Sequence, residues 1–341
     1  MKIFINASNI HVGGGKVILN DFISATKYFN TIDFIFYVDS RFEFKDFKQS
    51  NIFFEIIEKR QRPFVWFFIE NKVKNNDIAI YLTNIPPILK HKCKTILIQS
   101  NRFVIDFFPL SGFSIKTKIR ISAEKFLFYI NKNNADFIVV QSESMSSILQ
   151  TKGINKNKIF IIAYKKMDEE QKITNGYHQR QNDTFLYVSS GQPHKNHNNL
   201  IEAWCLLSKD RIYPKLILTI DENTSLHNYI VKQADNYGLN IEIKPNLERK
   251  ELLNLYSKST ALIYPSFFES YGLPLVEANH YKLPTIASEL DYVRDILDPV
   301  ETFDPHSAKS ICRSVKRFLK VNGEKTAIYE PVDFIKCLID L

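Results

Sequence analysis

The chain has 341 residues, of which 45% are hydrophobic and 24% charged, and a formal net charge of +8. That composition excludes disordered and fibrous classes and leaves room for two folded domains of ordinary size. Four scattered cysteines (Cys93, Cys205, Cys312, Cys337), with no CxxC pair and no histidine at metal-ligand spacing, argue against a disulfide framework or zinc site and for a reducing cytoplasm.

The N-terminal MKIFINASNI is too short in its apolar part for a signal peptide, and KIFIN (2–6) reads as a first strand. NIHVGGGKVILN (9–20) follows as a Gly-rich loop between strand and helix. It has neither P-loop nor dinucleotide-fold spacing, yet successive glycines permit close backbone approach to a ligand. A helix over 16–29 comes next, then strands FIFYV (34–38), IAIYL (78–82), TILIQ (95–99) and DFIVVQ (136–141), with a helix over 117–132. The aromatic run PFVWFFI (63–69) is too short to span a bilayer. The polar stretch 165–183 reads as a hinge. A second series of strands follows: FLYVSS (185–190), LILTID (216–221), IEIK (241–244), TALIYP (260–265) and PTIAS (284–288). Strands alternating with helices predict two doubly wound, Rossmann-like α/β domains with parallel sheets, and a ligand cleft between them at the strands' carboxyl ends.

FFESYGLPLVEAN (267–279) holds two carboxylates, Glu269 and Glu277, in a mostly apolar run where charge is expensive to bury. TALIYPS reads as a buried strand, FFESYG as a loop, and Pro274 as the first residue of a helix. A helix N-terminus at a sheet's carboxyl edge is an anion site, with phosphate the common occupant. Glu277, at the end of the first turn, is better suited to accept hydroxyl donors such as those of a ribose, with Glu269 at the other end of the ligand. Two acceptors flanking a diphosphate describe a sugar nucleotide. For the carboxylate pair in isolation, helix stabilisation and a solvated loop residue would suffice.

SFFESYGLPLVEA (266–278) resembles the signature of the retaining GT-B glycosyltransferases of the large bacterial family 4 class. The resemblance extends through 135–149, 153–162, 185–204, 246–266 and 303–311, and implies a GT-B fold. Its expected parts are an acceptor-binding domain over 1–163, a donor domain over 164–325, and a final helix over 326–341 packing back towards the first domain. It further implies transfer of a hexose from a nucleotide-sugar to a glycan hydroxyl, the acceptor being a lipid-linked O-antigen or capsule intermediate. The implied catalytic pair is Glu269 and Lys195. Donor contacts implied are Gly14, Gly15, Lys16, Ser190, Gly191, His194, Lys195, Ser270, Tyr271, Gly272, Leu273 and Glu277. No cofactor or metal is expected, because Lys195 and the helix N-terminus would take the leaving-group charge. Many members carry an arginine where this chain has Ser190, so His194 or the first domain is expected to supply the missing donor. Family members also often have a histidine after the strand equivalent to TILIQ, where this chain has Ser100, Asn101 and Arg102.

Residues 1–162 carry 23 Lys/Arg against 13 Asp/Glu. The stretch 100–130 interleaves aromatics with Lys116, Lys118, Arg120 and Lys125. Together with Asn101 and Arg102 it reads either as an acceptor and anionic-membrane surface or as an amphipathic helix with a solvated basic outer face. The expected location is cytoplasmic, peripheral on the inner face of the membrane. No nucleic-acid module is present. A catalytically silent sugar-nucleotide-binding partner is the rival reading.

Overall fold

The computed structural model describes residues 1–11, 13–43, 50–163 and 183–321. The first sheet is built from β1 (Lys2–Ala7), β2 (Asp33–Asp39), β3 (Ile52–Ile57), β4 (Ile78–Tyr81), β5 (Lys94–Ile98), β6 (Phe137–Val140) and β7 (Ile159–Ile161). Its order is β3-β2-β1-β4-β5-β6-β7, parallel throughout. The helices beside it are α1 (Gly13–Ala25), α2 (Val65–Glu70), α3 (Arg102–Ile105), α4 (Ile115–Asn131) and α5 (Glu143–Thr151).

The second sheet runs β10-β9-β8-β11-β12-β13, also parallel. Its strands are β8 (Thr184–Tyr187), β9 (Lys215–Leu218), β10 (Ile241–Ile243), β11 (Ala261–Tyr264), β12 (Thr285–Ser288) and β13 (Glu301–Phe303). Around it lie α6 (His197–Lys209), α7 (Ser225–Tyr237), α8 (Arg249–Lys258), α9 (Leu273–His280), α10 (Asp291–Arg294) and α11 (Ala308–Phe318).

Side chains alternate across a strand, so a parallel sheet covered on both faces needs apolar residues at nearly every position. The first sheet shows this directly. Phe4, Ile35 and Tyr37 enter one core cluster, whereas Ile5, Phe34, Phe36 and Val38 enter another. In the second domain a single cluster joins β8, β9, β11 and β12 to Trp204, whose indole N–H donates to the Pro214 carbonyl at 3.0 Å.

The five strands expected in each half are present. Three more strands complete the sheets: β7 falls in the 153–162 stretch of the family resemblance, β3 is an edge strand with Phe53 and Ile56 exposed, and β13 has three residues. The first helix starts earlier than expected, so Gly13, Gly14 and Gly15 form its first turn rather than a free loop. The expected hinge at 165–183 lies almost wholly outside the described residues, and the final helix expected over 326–341 lies outside them altogether.

The carboxyl edges of the two sheets meet. Phe103, Phe108 and Phe113, from the segment after β5, gather with Phe268 and His194 of the second domain, and Phe103 and Phe268 have ring centroids 4.7 Å apart. The backbone N–H of Ser144 donates to Asp295 at 3.1 Å.

Candidate functional site

In the second sheet the connections leave β8 and β11 in opposite directions, so the topological switch point lies between these neighbours. Open α/β sheets bind ligands there. Lys195 lies beyond the end of β8 and Glu269 beyond the end of β11, which brings together two residues 74 positions apart.

The two loops are clamped by the chain itself. Asn196, in the left-handed region at φ 60°, donates its amide to the carbonyls of Pro265 (2.9 Å) and Pro305 (2.7 Å). The Tyr187 hydroxyl donates to the Lys195 carbonyl at 2.7 Å, and the Phe267 N–H donates to the His194 carbonyl at 2.9 Å. With the backbone held this way, the Lys195 ammonium donates to Glu269 Oε1 at 2.6 Å, and the Tyr264 hydroxyl donates to the same oxygen at 2.9 Å. The two side chains are 15% and 10% exposed. Burial pushes the Glu269 carboxyl up, but the charge and hydrogen bond of Lys195, helped by Ser266, outweigh it and hold the group below its ordinary value. An ammonium has three N–H donors, so Lys195 is fixed by Glu269 with donors to spare.

Gly272 caps α9 at φ 80°, a conformation disfavoured for any residue with a Cβ. A Cβ there would also meet Leu275 at 3.1 Å. Pro274 lies in the first turn, as expected, one residue after the helix start. Along α9, Glu277 accepts from Arg249 at 2.5 Å on one oxygen and from the Tyr256 hydroxyl at 2.7 Å on the other. Arg249, Tyr256, Tyr264 and Asn196 were not identified from the sequence. The Arg249/Tyr256 pair at i, i+7 on one helix face was a usable signal for the first two.

His194, expected as a donor in place of the absent arginine, could serve only as a neutral N–H donor. It packs edge-on to Phe103 and is stacked with Phe113, and burial with the adjacent Lys195 lowers its pKa to about 4. At neutral pH it is an uncharged part of the domain contact. Arg102 is a first-domain cation that reaches the loop of Glu269. Its guanidinium lies 4.6 Å from the Phe268 ring centroid, approaches the Glu269 carbonyl at 3.4 Å, and is paired with Asp106 at 2.8 Å. Asn101 caps α3 by accepting from the Phe103 N–H. Lys16 is paired with Glu43 at 2.6 Å. Ser190 and Gly191 lie in the loop after β8, where a Cβ on Gly191 would meet Leu226 at 3.2 Å. Ser270 and Tyr271 precede α9, and Leu273 begins it. The Ser270 carbonyl accepts from the Ser142 hydroxyl across the domain boundary at 3.5 Å.

The basic segment of the first domain divides in two. Phe108 and Phe113, two aromatics of the 100–130 stretch, are committed to the domain contact. On α4, Ile115, Ile119, Phe126, Tyr129 and Ile130 are all exposed, at 76%, 66%, 63%, 62% and 55%, while Ile121 and Phe128 face the core. Spacings of three, four and seven residues put the exposed set on one face. The outer face is therefore apolar, not merely basic. Lys116 is exposed beside it, and Arg120 is paired with Glu124 at 3.1 Å. No helix among the described residues is long and apolar enough to cross a membrane.

Two facing parallel-sheet domains with the site at their meeting edges are a GT-B fold, shared with solved glycosyltransferases. Residues 168–330, just under half of the chain, match the family described as glycosyl transferases group 1. The chain is 26% identical over 253 residues to the O-antigen chain mannosyltransferase RfbU of Salmonella typhimurium, covering 70% of this chain. It spans 65% of that relative's length, slightly less than two thirds. Among solved structures, the lipopolysaccharide outer core galactosyltransferase WaaB in its apo form superposes with a TM-score of 0.63 at 15% identity, covering 95% of this chain and 92% of that one. Anabaena Alr3699/HepE in complex with UDP-glucose superposes with a TM-score of 0.63 at 14% identity, covering 94% and 90%.

Proposed function

We propose that the protein is a retaining glycosyltransferase that moves a hexose from a nucleotide-sugar to a hydroxyl of a lipid-linked surface-polysaccharide intermediate. The observation that carries this reading is the buried Lys195–Glu269 pair at the β8/β11 switch point, beside the N-terminus of α9. In the proposed complex the donor diphosphate lies against that N-terminus. Glu269 positions Lys195, whose remaining donors meet the charge that grows on the leaving diphosphate. Glu277, held by Arg249 and Tyr256, accepts from the ribose. The acceptor hydroxyl attacks from the face the diphosphate leaves, which retains the anomeric configuration without a covalent enzyme intermediate. Lys195 and the helix end are proposed to stabilise that charge without a metal.

The relative is named a mannosyltransferase and a structural neighbour was solved with UDP-glucose, so mannose and glucose nucleotides are the first donors to test. The exposed apolar stripe of α4 supports peripheral attachment to an anionic cytoplasmic membrane, where a lipid-linked acceptor resides. A thermal-shift screen against UDP-, GDP- and dTDP-sugars, followed by assay of nucleoside diphosphate release in the presence of EDTA, tests the reading. Stabilisation by one nucleotide class with EDTA-resistant release is expected. No stabilisation by any class would overturn it, and binding without turnover would favour a silent partner.

A further inference from the structure

The first sheet has its own switch point, between β1 and β4, and one strand away a carboxylate is held in an unusual way. Asp39, the last residue of β2, is fully buried. Its Oδ1 accepts from the Arg41 backbone N–H (3.0 Å) and Arg41 Nε (2.9 Å), and its Oδ2 from Arg41 Nη2 (3.0 Å). Arg62, from the turn after β3, brings Nη2 to 2.6 Å of the same Oδ2, and His11 Nδ1 lies 3.8 Å away. Burial would raise the Asp39 pKa, but the Arg41 hydrogen bonds and both arginine charges hold it below its ordinary value.

Of the roughly four lone-pair sites of a carboxylate, three accept from Arg41, and the Arg62 guanidinium lies against Oδ2 as an ion pair. Asp39 is therefore committed to the two arginines rather than to a sugar hydroxyl. What the cluster still offers is donors: Arg41 is 53% exposed and Arg62 22%, and each keeps N–H groups not spent on Asp39. Two guanidinium groups around one carboxylate leave an excess positive charge. Among the described residues, Glu43 is taken by Lys16, and Glu58 accepts from Ser40 at 3.2 Å within a run that also holds Lys59 and Arg60. Rigid, paired guanidinium forks suit a tetrahedral oxyanion.

We propose that Arg41 and Arg62, braced on Asp39, bind a phosphate or diphosphate group of the acceptor. The acceptor assignment rests on the transferase reading above; the anion site does not. The binding can be measured by calorimetry on the full chain, with inorganic pyrophosphate and dodecyl diphosphate as probes. Arg41→Gln and Arg62→Gln should each weaken one binding event by about 10–100-fold, as expected for loss of a charged hydrogen bond. Lys195→Gln should leave that event in place. Tighter binding of dodecyl diphosphate than of pyrophosphate would support a lipid-carried group, and equal binding a phosphorylated glycan.

Arg41 is half exposed, so Arg41→Gln carries the test even if Arg62→Gln fails to fold. Binding that is unchanged in Arg41→Gln, or lost only in Lys195→Gln, overturns the proposal. If no nucleotide-sugar is turned over while pyrophosphate binding still depends on Arg41, the transferase reading falls and the anion site stands.

Discussion

Replacing Lys195 by Ala removes the cation from a carboxylate that is only 10% exposed. Stranding one member of a buried pair costs about 3–5 kcal/mol. The low end of that range, about 3 kcal/mol, applies here because the pair is not wholly dry and the Tyr264 hydroxyl remains as a partner. The pH dependence distinguishes this from loss of an ordinary surface lysine. In the wild type the Glu269 pKa is depressed, so its contribution to stability is present above the ordinary carboxylate range and is lost as pH falls through the folded value. In the variant the Lys195 charge no longer outweighs burial, the pKa rises, and the penalty shrinks as the carboxyl becomes protonated. Denaturation midpoints should therefore differ clearly at pH 7.5 and converge towards pH 4.5. Turnover at saturating donor should fall by about 100–1,000-fold, the scale for losing one group that stabilises developing negative charge. A midpoint difference independent of pH, or unchanged turnover, would refute the reasoning.

Glu277→Gln should raise the nucleotide dissociation constant by about 10-fold, since charge-assisted hydrogen bonds are the stronger class; calorimetry reads it, and an unchanged constant rules out the ribose role. Sedimentation with anionic liposomes should bring down the protein at low salt and release it at high salt, because each cation near such a surface contributes about 1 kcal/mol. Ile119→Asp with Phe126→Asp should abolish that sedimentation while nucleoside diphosphate release persists, and binding that survives the double variant would remove α4 from the membrane role. His194 and His197 are both depressed to about 4 by burial and the Lys195 charge, so the unfolded chain takes up protons first. Stability should fall as pH drops from about 6.5 towards 4, and His197→Gln should flatten that slope; imidazole NMR signals from either ring that titrate near pH 6.5 would contradict the assignment.

Strand content was legible because buried parallel strands need apolar residues on both faces, and FIFYV or TALIYP can hardly be anything else. β3 was not, because an edge strand tolerates Glu55 and leaves Phe53 and Ile56 exposed, which breaks the pattern. Lys195 and Glu269 were chosen through loop and helix position together with family resemblance. Their direct pairing was invisible, since it depends on how the β8 and β11 loops are tied through Asn196 and Tyr187. Arg249 reaches Glu277 across 28 residues, and Arg62 reaches Asp39 from a different connection; no local spacing encodes either. The neutral state of His194 was not legible, because sequence shows a titratable ring beside a lysine and only the three-dimensional packing shows two phenylalanines covering it.

The Lys195–Glu269 site is proposed to transfer a sugar from a nucleotide diphosphate with its configuration kept. Its most direct test is proton NMR of the reaction with an α-linked nucleotide-sugar, followed from the first minutes at the anomeric signals. Nucleoside diphosphate release should be matched by a newly formed α-anomeric product, both lost in Lys195→Ala. A β-anomeric first product, or release that persists undiminished in Lys195→Ala, would contradict it.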